Sequence, residues 1–134
     1  MRDIAVESAP VVLVADDDPA LRSLFQRALE RSGLRVLVAA NGREAMKLLA
    51  EHDVSVGLFD LNMPVLDGLA TLHEVRADDR HAALPVILMT GSDAESTRIT
   101  AVGGGANDCI SKPVGLDELA ARVWALVPDR GATA

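Results

Sequence analysis

Apolar residues along this chain follow two alternating patterns. Five short runs, Val11 to Ala15, Leu34 to Ala39, Val54 to Phe59, Leu84 to Met89 and Asn107 to Ser111, are rich in apolar residues, the last of them only through Cys109 and Ile110. Between and after them lie longer segments in which apolar positions recur every three or four residues. Continuous short runs fit strands buried on both faces, and the longer period fits amphipathic helices. Strict alternation of the two implies an α/β fold, a parallel sheet covered by helices on both sides.

Several helix boundaries carry their own chemistry. Asp18-Pro19 supplies an N-cap and a proline at the first helical position. Leu21, Leu24, Phe25, Ala28 and Leu29 then form one stripe that ends before Gly33. Asn41 with Glu44 reads as a capping box opening the second helix, and Asp67-Gly68 precedes a third through Leu69, Leu72 and Val75. A fourth is expected from Ser92, capped with Glu95. It is the poorest by propensity, with Ser96, Thr97 and Thr100 inside it and Gly103-Gly104-Gly105 after it. The last helix is expected from Leu116 to Val127. Residues 1–10 and 129–134 lack periodicity and read as tails, the second also as the start of a linker, which leaves one domain over 11–128.

Composition narrows the possibilities. The chain has 134 residues and a formal charge of −7, with almost no aromatics and no run of Lys or Arg, so direct nucleic-acid binding is not expected. No apolar span is long enough for a membrane and the first residues lack a signal-peptide core, so the expected location is cytoplasmic. The single cysteine, Cys109, excludes an internal disulfide and a thiolate zinc site.

The candidate chemistry sits at the strand ends. Asp16-Asp17-Asp18 follow the first strand, Asp60 the third, Thr90-Gly91 the fourth and Lys112 the fifth. In an open parallel sheet these ends gather at one edge, where ligands bind. Three carboxylates brought together there repel one another unless a cation intervenes, and Mg2+ suits such oxygen donors. Asp60 stands alone on its strand, as a nucleophile toward a phosphoryl donor would, giving an aspartyl phosphate. Lys112, Thr90 and backbone N–H groups near Asn62 and Gly91 are suitable donors for the phosphoryl oxygens. Singly, each residue has an ordinary structural explanation; jointly they form a magnesium-dependent phosphoryl site.

Val12-Leu13-Val14-Ala15-Asp16-Asp17-Asp18-Pro19, Phe59-Asp60-Leu61-Asn62-Met63-Pro64 with Asp67-Gly68, Met89-Thr90-Gly91 and Ser111-Lys112-Pro113 resemble, in order and spacing, the receiver domain of two-component response regulators. The resemblance covers nearly the whole chain. It implies a flavodoxin-like doubly wound (βα)5 sheet of order 2-1-3-4-5, and a histidine kinase or histidine phosphotransfer protein as donor to Asp60. It further implies Mg2+ held by Asp17, Asp60 and the Asn62 carbonyl, with Asp16 acting through water. Thr90 would move toward the phosphate, Lys112 would pair with it, and the Lys112-Pro113 bond would be cis. Output would pass through the face of the fourth helix, fifth strand and fifth helix, to a protein target, an attached output domain or a second copy in a homodimer.

The chain departs from the family at Cys109, where many receivers carry Tyr or Phe. A threonine-aromatic exchange is therefore not available, and the weak segment from Ser92 to Ala106 is the expected route for Thr90's movement. Trp124 lies at the margin of the last helix's apolar stripe, as a packing residue or a docking anchor. Two other functions are consistent with parts of the pattern: a receiver-like binding module that is not phosphorylated, and a phosphatase resembling the haloacid-dehalogenase group. Against the second, position 62 is Asn where that group has an acid, and the acid cluster comes first. The expectation is a switch and not a turnover enzyme.

Overall fold

Strands and helices alternate along the chain as the two periods require. The computed structural model describes residues 9–91 and 105–128. The strands are β1 (Val11–Ala15), β2 (Arg35–Ala39), β3 (Val56–Asp60), β4 (Val86–Thr90) and β5 (Asp108–Ser111). The helices among the described residues are α1 (Pro19–Arg31), α2 (Gly42–Glu51), α3 (Gly68–Ala77) and α4 (Leu116–Leu126). The helix expected from Ser92, with Gly103 and Gly104, lies outside the described residues. None of the described helices is long and apolar enough to cross a membrane.

All strand pairs are parallel and the sheet order is β2-β1-β3-β4-β5, the order expected for the flavodoxin-like fold. Alternate residues of each central strand enter opposite cores. Leu13, Phe59 and Leu88 pack with Leu49 of α2 and Leu72 of α3. Val14, Leu58 and Met89 pack with Phe25 of α1 and Leu119 of α4. Burying each large apolar side chain contributes roughly 1.5–3 kcal/mol relative to leaving it in water, so the two layers hold the strand ends firmly.

The observed boundaries differ from the expected ones for identifiable reasons. Leu34 does not begin β2, because its N–H closes α1 on the Leu29 carbonyl (3.2 Å) beside Gly33, whose φ is +103°. β4 begins after Pro85, which has no N–H for the ladder. Asn107 precedes β5 and uses its side chain on the Val86 N–H (2.9 Å). Leu24, placed in the α1 stripe, is 44% exposed, since at about 100° per residue it falls at the stripe's edge. Asn41 caps α2 through the Glu44 N–H (2.9 Å), while Glu44 reaches back to the N–H of Ala40 (2.8 Å), one residue before the cap.

Candidate functional site

Four strands deliver the chemistry to one edge of the sheet. Asp16 follows β1 and continues the ladder through its N–H to the Ala39 carbonyl (3.0 Å). Asp60 is the last residue of β3, and Thr90 the last of β4. Lys112 follows β5, its N–H donating to the Thr90 carbonyl (2.7 Å). The Lys112–Pro113 peptide bond is cis. Gly68 lets the start of α3 run against Asp60, because a side chain there would collide with the Asp60 carbonyl.

Carboxylate oxygens of Asp16, Asp17 and Asp60 lie within 4.8 Å of one another. Asp16 is fully buried and Asp60 nearly so (0% and 6% exposed), whereas Asp17 is exposed. The ammonium of Lys112 reaches between the two buried acids, 2.9 Å from Asp60 Oδ1 and 3.2 Å from Asp16 Oδ2. Burial pushes the Asp60 carboxyl above its usual range. The hydrogen bond and charge of Lys112 pull it back only in part, and Asp16 and Asp17 add to the upward shift. Burial opposes the charge on Lys112, but Asp60 and Asp16 outweigh it, so the lysine is held as an ammonium above its usual pKa.

One ammonium against three clustered carboxylates leaves net negative charge in a partly dry cleft. That donor set is all oxygen and suits a hard divalent cation. The two adjacent acids are not equivalent. Asp16 uses Oδ1 to accept the Asp18 N–H (2.9 Å) and Oδ2 to accept Lys112, while the side chain of Asp17 accepts no hydrogen bond among the described residues. Both oxygens of Asp16 are thus committed to protein donors, whereas those of Asp17 are not.

The other expected residues fall as follows. Thr90 is buried at the end of β4, and Gly91 is exposed beside it with open space where a side chain would be. Asn62 is exposed in the loop after β3. Cys109 is half-buried on β5 against the core that holds Phe59. Trp124 is away from the cleft, at the end of α1: its indole N–H donates to Ser32, 3.2 Å to the carbonyl and 3.1 Å to Oγ, and its ring lies over Gly33. Sequence reasoning missed Arg22, whose Nη1 donates to the Asp16 carbonyl (2.9 Å). An arginine on a helix carries no sequence signal that its partner is a backbone carbonyl, so nothing in the chain points to this contact.

A sequence profile of the response regulator receiver domain matches residues 12–124. The transcriptional regulatory protein PrrA of Mycobacterium leprae is 39% identical over 127 residues, covering 95% of this chain and 54% of that protein. This chain therefore spans about half the length of the curated relatives it matches. Among solved structures, the receiver domain of the Francisella response regulator 1452 superposes with a TM-score of 0.79 at 34% identity, covering 87% of this chain and 95% of that one. The receiver domain of the sensor histidine kinase PA1611 of Pseudomonas aeruginosa, solved with a magnesium ion in its active-site cleft, gives 0.82 at 25% identity, covering 91% of this chain and 100% of that one.

Proposed function

This chain belongs to the response regulator receiver domains of two-component signalling, and from that premise we propose that Asp60 is its phosphoacceptor. The observation that carries this is the pairing of Asp60 with Lys112 at 2.9 Å inside a cleft shared with Asp16 and Asp17. A carboxylate oxygen of Asp60 attacks phosphorus and the P–N bond of a phosphohistidine donor breaks, its electron pair returning to the imidazole. The donor is a histidine kinase or a histidine phosphotransfer protein. The Asp60 carboxylate, costly to hold charged in its buried position, is nucleophilic for the same reason: it is poorly solvated. Lys112 stays beside the negative charge that the phosphoryl group brings.

Mg2+ in this cleft would be held by Asp17, Asp60 and the Asn62 carbonyl, with Asp16 assisting through water. When bound, the ion neutralises phosphoryl oxygens and screens the three acids from one another. Thr90 and Gly91, at the end of β4, would contact the added group and read its presence. Output passes along β5 and α4, where Arg122 grips both carboxylate oxygens of Asp108 (2.9 and 2.6 Å) and holds helix to strand. The recipient is an attached output domain, as the name of the PrrA relative suggests, or a separate protein target. A homodimer would use the same face.

The domain is a phosphorylated switch and not a turnover enzyme. A binding module without phosphorylation would have no use for the full set of acids and lysine. Incubation with a small phosphodonor and Mg2+, read by intact mass, tests the proposal: one phosphoryl adduct is expected on the native chain and none on Asp60→Asn. An equal adduct on both would overturn it.

A further inference from the structure

Every polar atom of Asp16 has a protein partner. Its N–H donates to the Ala39 carbonyl (3.0 Å), its carboxylate accepts from the Asp18 N–H (2.9 Å) and Lys112 (3.2 Å), and its carbonyl accepts from Arg22 Nη1 (2.9 Å). Asp17, the next residue, has none for its side chain among the described residues. The direction of the Asp17 carboxylate is therefore inherited from the backbone. The peptide unit joining the two acids is planar, with the Asp16 carbonyl on one side and the Asp17 N–H on the other. Holding that carbonyl fixes the plane and with it the Asp17 N–Cα bond, which narrows the directions in which the Asp17 side chain can leave the chain. Arg22 holds it from a rigid support, because Asp18 caps α1 through the N–H groups of Ala20 and Leu21 (2.9 and 3.3 Å).

We propose that Arg22 is a positioning residue of the acid cleft: by gripping the Asp16 carbonyl it aims the Asp17 carboxylate at Asp60 and so sets the affinity for a divalent cation. The inference rests on reading the cleft as a Mg2+ site. Its sign distinguishes it from simple electrostatics. A guanidinium near a cation site repels the cation, so charge alone would make removal of Arg22 tighten binding. Loss of a group that orients a metal ligand weakens binding instead, typically by about 10–100-fold.

The test measures Mg2+ affinity directly, by amide chemical-shift titration and by the dependence of melting temperature on Mg2+, neither of which requires phosphorylation. Arg22→Met keeps the alkyl stem and removes the donors; its Mg2+ affinity is expected to fall about tenfold. Arg22→Lys retains a donor of different geometry and is expected to recover part of that loss. Unchanged or tighter Mg2+ binding in Arg22→Met would overturn the proposal. If Arg22→Met does not fold, Arg22→Lys decides: weakened binding supports the proposal and native affinity sinks it. A native chain that binds Mg2+ but takes no phosphoryl group would defeat the phosphoacceptor reading alone, leaving this comparison intact.

Discussion

Asp60 is a carboxylate kept where burial disfavours its charge, with Lys112 as a partial remedy. Removing one member of such a pair exposes the cost of the other. Lys112→Met is expected to lower stability by about 2–3 kcal/mol without Mg2+, somewhat below the range for a fully buried pair because the lysine keeps some exposure. Urea unfolding with and without Mg2+ checks it, and added Mg2+ should return part of the loss. A second carboxylate behaves in the opposite way. Asp78 accepts the Arg80 N–H (2.9 Å) and pairs with His81 Nδ1 (3.2 Å), and these contacts hold its carboxyl below the ordinary value of 3.8. A depressed folded pKa means that the unfolded chain takes up the proton first as acid is added. The stabilisation is thus fully present above the unfolded value and is lost as pH falls through the folded one. Asp78→Asn should flatten the acid limb of the urea midpoint measured from about pH 5 down to 2, and an unaltered limb would mean that the contacts do not shift Asp78 in solution. His81 is half-buried beside Asp78.

At the scale of elements, the parts that packing and capping decide were legible in the sequence. Those that depend on long-range hydrogen bonds were not. The five strands and the caps Asp18 and Asn41 follow from local residue chemistry, and the strand order follows from the family resemblance; Asp67, placed only before the third helix, proves to be its cap. The gathering of Asp16, Asp17, Asp60 and Lys112 follows from strand ends sharing one edge. Arg22 was invisible because an arginine on a helix gives no hint that its partner is a carbonyl. Arg76 was invisible for the same reason. From the last turn of α3 it donates to the carbonyls of Ala82 (3.3 Å), Leu84 (2.7 Å) and Gly105 (2.6 and 3.0 Å) and to Asn107 Oδ1 (3.0 Å), tying together the segments that lead into β4 and β5. Burial depresses its pKa without threatening its charge. Arg76→Met would strand several carbonyls at once, and a loss of about 2–4 kcal/mol is expected, at about 1–3 kcal/mol for each group left buried and unpaired, with water satisfying the rest. Amide exchange should show the loosening first at Val86 and Asn107. Retention of native protection there would show that Asn107, which bonds Val86 through both backbone and side chain, holds the two strands without Arg76.

The whole molecule carries a formal charge of −7, and three of its carboxylates are concentrated at one point. The fold holds that cluster in place through two hydrophobic layers, so the repulsion cannot be relieved by spreading the acids apart. It can be relieved by a bound cation, which makes Mg2+ affinity a property of the folded state: the unfolded chain disperses Asp16, Asp17 and Asp60 and binds the ion poorly. Mass action then requires the ion to stabilise the fold, by about 2.7 kcal/mol at a hundred times its dissociation constant. For a domain of this size that corresponds to a rise in melting temperature on the order of 10 °C. Asp17→Asn removes the acid of the cluster whose side chain has no protein partner among the described residues, and should abolish most of the Mg2+-dependent rise. Relief of charge repulsion should leave its Mg2+-free melting temperature at or above the native value. Ca2+ provides the control for geometry, because general screening of a negative surface would let either ion stabilise the variant as well as the native chain. If Asp17→Asn kept the full Mg2+ shift, the stabilisation would belong to the overall charge and not to the cleft.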